Sequence, residues 1–195
     1  MITSEIGLRE NILSTAKSLF LQHGYHGLAM RQISEAVGVS KAALYYHFKD
    51  KEELFVAILS ANLDKMENNI DLIQARPGSS SEKIVLFIEY VLKEPAEQRA
   101  VIRLASQEMV QLSFPTREKF NQLYHGQFIG KLQSIFQDGV NSGEFRPIDP
   151  TVATWALLGM LYPYFYPAHT GSQPVNPETI RQIVSIYLTG VIKTG

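Results

Sequence analysis

Met30-Arg31-Gln32-Ile33-Ser34-Glu35-Ala36-Val37-Gly38-Val39-Ser40-Lys41-Ala42-Ala43-Leu44-Tyr45-Tyr46-His47-Phe48 holds two short apolar stripes separated by a glycine. Met30, Ile33 and Val37 fall at three- and four-residue spacing, which places them on one face of a short helix. Gly38 can take the positive-φ conformation that ends such a helix, and Ser40 is a good N-cap for the next. A second helix over 40–48 keeps Leu44 and Phe48, with Ala43 beside them, as its packing side. Lys41, Ala42, Tyr45 and Tyr46 are then left facing outward. Two short helices joined by a tight glycine-containing turn make a helix-turn-helix, here over 29–48, in which the second helix is the one that enters a major groove.

Helical spacing continues on both sides of this stretch, and alternating strand-like runs are absent. Upstream, Ile12, Leu13, Ala16, Leu19 and Phe20 predict a first helix ended by Gly24. Downstream, Asp50 with Glu53 opens a long fourth helix whose stripe runs from Leu54 to Ile73. Arg76-Pro77-Gly78-Ser79-Ser80-Ser81 breaks the chain, and Ser79 with Glu82 forms a capping box for the stripe Ile84, Phe87, Ile88, Val91, closed by Pro95. Val101, Leu104, Ala105 and Leu112 follow, with Phe114-Pro115 expected to end that helix. A long stripe then runs from Phe120 through Leu132 to Val140 and stops at Gly143. Asp149-Pro150 and Asn176-Pro177 each set a capping residue before a proline suited to the first helical position. Pro163 and Pro167 should kink or end the helix that begins at Pro150. The expected fold is all-α, about nine helices, with a three-helix N-terminal domain and a larger helical bundle.

Composition narrows the functional classes. The chain has 195 residues, 45% hydrophobic and 19% charged, enough apolar content to bury a core and too little charge for disorder. Without cysteine there are no disulfides, thiolate metal sites or cysteine nucleophiles, and a cytoplasmic address is permitted. The 28 residues 150–177 carry no formal charge, but Thr154, Gly159, Pro163 and Pro167 interrupt a run that would need ~20 apolar residues to span a bilayer. No membrane span is expected. Phosphate-loop, G-x-S-x-G and H-E-x-x-H motifs are all absent, so no catalytic residue or cofactor is assigned and the chain is not read as an enzyme. His23 and His26 flank a Gly-Tyr turn without a third ligand at suitable spacing, so no metal site is assigned. The formal net charge of −1 speaks against a nucleic-acid partner only until it is divided. Over 23–51 four positive residues (Arg31, Lys41, Lys49, Lys51) face two negative ones (Glu35, Asp50), so this segment carries +2 and the remainder −3.

The stretch Gly24-Tyr25 … Met30-Arg31-Gln32-Ile33-Ser34 … Gly38-Val39-Ser40-Lys41 … Leu44-Tyr45-Tyr46-His47-Phe48 … Lys51-Glu52-Glu53-Leu54 resembles the DNA-binding domain of TetR-family transcriptional regulators. The resemblance covers 6–66 without insertion, with 40–48 as the recognition helix. It implies a ligand-responsive regulator, most often a repressor, that binds a pseudo-palindromic double-stranded operator as a homodimer. Lys41 can donate to guanine O6/N7 and Ala42 can touch a thymine methyl. Tyr45, His47 and Lys51 match family positions that meet phosphates, Arg31 one that reaches backbone or base edge, and Ser40 and Tyr46 complete the expected DNA-facing set. One departure stands out: family members usually carry Ser or Thr where Ala29 stands, which removes a cap for the first helix of the motif.

The remainder, 79–195, is expected to form the ligand-binding and dimerisation domain. Its last two helices are apolar on nearly all sides, and the resemblance implies that they build a four-helix dimer contact through Leu158, Leu161, Tyr162, Ile183, Val184 and Tyr187. Tyr124, Phe128, Trp155, Tyr162 and Phe165 are the candidate lining of a pocket for a small, largely apolar or aromatic effector, with His125, His169 and Glu108 as possible polar members. The competing reading is a helical ligand-binding or protein-interaction module that does not bind DNA.

Overall fold

The computed structural model describes residues 2–166 and 173–193. Ten α-helical stretches follow one another: α1 (Ile2–His23), α2 (Met30–Val37), α3 (Lys41–His47), α4 (Lys51–Gln74), α5 (Ser80–Lys93), α6 (Ala96–Glu108), α7 (Phe114–Tyr124), α8 (Gly130–Asn141), α9 (Pro150–Leu161) and α10 (Pro177–Val191). A π-helical turn (His125–Ile129) joins α7 to α8 without a break, so the described residues contain nine rods, as the periodicity predicts. Among the described residues no strand occurs, only an isolated bridge between Phe145 and Ile192. No helix among them is long and apolar enough to cross a membrane.

The helix ends follow from local chemistry. Ser79 Oγ accepts from the Glu82 N–H at 3.2 Å while Glu82 accepts from the Ser79 N–H at 2.8 Å, a complete capping box. Glu144 adds a second anchor to the start of α5, accepting from the Ser80 and Ser81 N–H groups at 2.8 and 2.9 Å. Asp149 and Asn176 cap α9 and α10 from ahead of their prolines, as expected. The reading of Phe114-Pro115 as a terminator is corrected. α6 ends earlier, at Glu108, a 3₁₀ turn follows over Met109–Gln111, and Phe114 opens α7 with Pro115 in its first turn. Proline lacks an N–H, and the first turn needs none from it, so the dipeptide marks a start as readily as a stop. Pro163 does end α9, in a 3₁₀ turn over Tyr162–Phe165, whereas Pro167 and His169 lie outside the described residues.

Two compact units result. The first comprises the chain up to Asn62 together with Leu104–Phe120; the second comprises Leu63–Arg103 and the chain from Asn121 onward. The sequence expectation divides the chain instead into 6–66 and 79–195. The first unit closes over Ile12, Ala16, Phe20, Ile33, Leu44, Phe48, Leu54 and Phe55, all at most 1% exposed. Phe20 and Tyr25 both meet the Phe55 ring edge-on, at 5.0 and 5.1 Å. Burying each such aromatic contributes ~1.5–3 kcal/mol. The second unit packs Ile84, Phe87, Ile88, Leu132, Phe136, Ala153, Leu157 and Leu161, with the Tyr187 hydroxyl donating to the Ala153 carbonyl at 2.7 Å.

Candidate nucleic-acid interface

The helix-turn-helix is assembled by two left-handed glycines. Gly24 (φ 70°) ends α1, and Gly38 (φ 78°) ends α2. At Gly38 the chain reverses with the Gly38 and Val39 N–H groups both donating to the Ser34 carbonyl at 3.0 Å. Ser40 then caps α3, its Oγ accepting from the Ala43 N–H at 3.1 Å. Leu44 and Phe48 turn inward to 0% and 1% exposure, which fixes which side of α3 faces out. Lys41, Ala42, Tyr45 and Tyr46 form that outer face; Tyr46 is 77% exposed, so it covers no core. The Lys41 ammonium lies 5.7 Å from the Tyr45 ring centroid, and His47, half-buried, meets the Tyr46 ring edge-on.

Arg31 and Ala29 stand at the start of α2. Arg31 is exposed, and its Nε donates to Glu35 one turn on at 2.7 Å, a pair that holds its proton more firmly and that solvent keeps weak. Ala29 has no side-chain acceptor to cap the helix, but its own N–H donates to Gln32 Oε1 at 2.8 Å, the back half of a capping box. The N-terminal N–H groups of α2 thus keep a vacant capping position beside a cationic side chain. An open concavity of about 600 Å³ lies there, lined among others by Arg31, Gln32, Lys41, Tyr45 and Lys51.

Lys51 is placed differently from the others. It is half-buried, and its Nζ donates to the carbonyls of Tyr25 at 2.7 Å and Leu28 at 3.0 Å, while lying 4.3 Å from the Tyr25 ring centroid. Burial pushes its pKa down, against the pull of Glu108. Its neighbour Glu52 accepts from the Ser113 N–H at 3.1 Å, from Ser113 Oγ at 2.6 Å and from Thr116 Oγ1, which ties the start of α7 into the first unit. Those hydroxyls hold the Glu52 carboxyl below the usual carboxylate range. His26 meets Gln111 Oε1 at 2.5 Å in the same region. Sequence reading missed this seam, since nothing local links 51–52 to residues sixty positions away.

In the second unit the expected pocket residues fall into separate settings. Tyr124 joins Phe128 at 5.3 Å and Phe128 joins Phe87 at 6.0 Å; burial pushes the Tyr124 phenol up to about 12. Tyr162 meets Phe165 edge-on at 6.0 Å, and its hydroxyl lies 2.9 Å from that of Tyr166. Trp155 is instead 46% exposed, edge-on to His125. Glu108 belongs to the first unit. Of the residues expected at a dimer contact, Leu161, Ile183 and Tyr187 are buried within the unit's own core, so they are not on its surface; Leu158, Tyr162 and Val184 are half-buried. The exposed large apolar side chains of α9 and α10 are Val152, Trp155 and Ile186. Helices apolar on all sides give periodicity no way to say which side turns inward. Among the described residues no cluster of three or more His, Asp or Glu could hold a metal ion.

A helical unit that offers the second helix of a helix-turn-helix outward, with cations at both helix starts, is a DNA-binding regulator by class. Residues 12–58 match the profile described as bacterial regulatory proteins, tetR family, and 77–163 that described as tetracyclin repressor-like, C-terminal domain. The chain is 32% identical to the HTH-type transcriptional regulator QacR of Staphylococcus aureus, over 96% of its own length and 100% of the relative's. It is also 24% identical to the HTH-type transcriptional regulator YhgD of Bacillus subtilis, over 94% and 95%. In structure it is similar to a tetR-family regulatory protein from Rhodococcus RHA1, TM-score 0.82 at 22% identity over 96% and 98% of the two chains. A crystal structure of AibR in complex with isovaleryl coenzyme A and operator DNA gives TM-score 0.73 at 25% identity over 95% and 98%. This chain belongs to the TetR family of helix-turn-helix transcriptional regulators.

Proposed function

We propose that this regulator is a repressor that binds a pseudo-palindromic operator as a homodimer in the cytoplasm and releases it on binding a small, largely apolar or aromatic molecule. The observation that carries the reading is the outer face of α3, where Lys41, Ala42, Tyr45 and Tyr46 are exposed while Leu44 and Phe48 anchor the helix from behind. A helix so presented has a cation for guanine, a methyl for thymine and two phenols at its margins. Two aromatic groups, Phe87 with Tyr124 and Phe128, and Tyr162 with Phe165, are the apolar side chains with hydroxyls for orientation that such a ligand would use. AibR, bound to isovaleryl coenzyme A and operator DNA, is a relative in which a small molecule and an operator meet one chain of this fold. A ligand shifts DNA affinity only by its differential affinity for the two conformations.

The proposed dimer contact lies on the outer side of the same two helices, at Val152, Trp155 and Ile186, with the half-buried Leu158 and Val184 on those helices as well. An isologous contact there sets two recognition helices about one DNA turn apart. Selection of bound duplexes from a random pool tests the whole reading: the expected product is a two-fold-symmetric site with half-sites about one turn apart. Recovery of no preferred sequence would favour a helical ligand-binding or interaction module instead.

A further inference from the structure

We propose that Gln32 is a further DNA contact, its side-chain NH2 group donating to a backbone phosphate of the operator while its carbonyl oxygen holds the start of α2. The inference rests on the proposal that the α2–α3 face binds DNA, and it adds to that face an uncharged residue outside the set expected from the sequence.

Three observations carry it. First, the amide has a fixed direction. The Ala29 N–H donates to Gln32 Oε1 at 2.8 Å. A backbone N–H only donates, so the atom that meets it is the oxygen, and the NH2 group is the end left over. Second, that end has a place to act. Gln32 is exposed and lines the concavity of about 600 Å³ at the start of α2. Among the described residues, the bond to Ala29 is the one hydrogen bond its side chain makes. Third, the surroundings select an anion. Arg31, although paired with Glu35 on its own helix, lines the same concavity with Lys41 and Lys51. They stand against one lining carboxylate, Asp50, whose Oδ1 accepts from the Glu53 N–H at 2.8 Å. Ala29 brings no side-chain oxygen to the first turn of α2, so the N–H groups there keep their capacity for an acceptor from outside.

A phosphate suits this donor better than a base edge does. Reading adenine takes both ends of the amide, the carbonyl oxygen included. Here that oxygen is engaged on the helix it belongs to. A lone N–H donor fits a phosphate oxygen, a contact that fixes register and carries no sequence preference. The charge of the acceptor also makes such a bond stronger than one to a neutral group.

Uncharged phosphates placed one at a time in the DNA test this. In a duplex recovered by the selection above, each phosphate and its symmetry mate are replaced by methylphosphonate, and affinity is titrated for wild type, Gln32→Met and Gln32→Glu. Gln32→Met is expected to weaken binding to the unmodified duplex about tenfold. It should also abolish most of the wild-type penalty at one phosphate while the penalties at the others stay. Gln32→Glu keeps an acceptor for the Ala29 N–H, so the free protein should melt no lower than wild type. Its binding to the unmodified duplex should fall by more than about tenfold, and methylphosphonate at that same phosphate should now raise affinity instead of lowering it. The two variants separate contact from capping. A side chain that only capped α2 would lose binding in Gln32→Met, and in Gln32→Glu would show a small loss spread evenly over neighbouring phosphates. If Gln32→Met does not fold, the sign of the methylphosphonate effect in Gln32→Glu decides alone. Identical penalty profiles in wild type and Gln32→Met overturn the inference. Loss of preference at an A·T pair in Gln32→Met overturns it as well, since the amide then reads a base edge. A wild-type profile without a penalty at any phosphate would dismiss the DNA-binding face itself, and the inference with it.

Discussion

Lys41 sits in the first turn of α3, exposed, with its ammonium 5.7 Å from the Tyr45 ring centroid. Under the proposed function it is the residue assigned to a base edge, where a bidentate contact discriminates by ~1–3 kcal/mol. Lys41→Ala is therefore expected to weaken binding to the selected site by about ten- to a hundredfold and to relax preference at one base step, measured by titration against duplexes varied at single positions. Unchanged affinity and preference would remove Lys41 from the readout. Arg99 is the opposite kind of cation. It is 1% exposed, and its guanidinium donates to the carbonyls of Leu92, Glu94, Tyr164 and Gln173, so it closes the C-terminal end of α5 from within. Arg99→Met would leave those carbonyls without that donor, and a loss of ~2–4 kcal/mol in unfolding free energy is expected by denaturant titration. A variant as stable as wild type would show that water replaces the guanidinium. Lys41 was legible in the sequence because its position follows from the turn; Arg99 was not, because an arginine in the polar run Glu97-Gln98-Arg99 carries no local mark of burial.

At the level of elements, helix starts with a local cap were the most readable features. Ser40, Ser79, Asp149 and Asn176 all cap the helices that their neighbours predict, because a cap is a contact within three residues. Phe114-Pro115 was misread because the deciding contact is remote: Glu52, at the start of α4, accepts from Ser113 and Thr116 at the start of α7. That contact also carries a pH dependence. The Ser113 and Thr116 hydroxyls depress the folded-state pKa of Glu52 below its unfolded value, so the contribution is present above the ordinary carboxylate range and lost as pH falls through the depressed value. Thermal melts from pH 7 down to about pH 3 should show Glu52→Gln less stable than wild type near neutrality and the gap closing in acid. A gap that stays constant with pH would assign the effect to packing instead of charge.

For the molecule as a whole, bulk charge is a poor guide. The net charge of −1 conceals a cationic patch in which Arg31 and Lys41 are exposed and Lys51 is half-buried. In the proposed dimer two protomers bring twice this cationic charge to one duplex, which strengthens binding. Ile186→Asp places a charge on the exposed apolar face of α10 and, if that face is isologous, introduces it twice. It is expected to raise the dimer dissociation constant by about tenfold or more in sedimentation experiments and to lower operator affinity with it. A wild-type monomer at micromolar concentration would dismiss the dimer. By itself, the sequence determined the all-helical fold, the helix-turn-helix and the outer face of α3, since each depends on residues within a few positions of one another. Tertiary structure alone decided which sides of α9 and α10 are core, that 104–120 pack with the N-terminal helices, and that Lys51 donates to the Leu28 carbonyl in the turn before α2. Those choices depend on which carbonyls, carboxylates and apolar faces meet across long stretches of chain, and periodicity carries no such information.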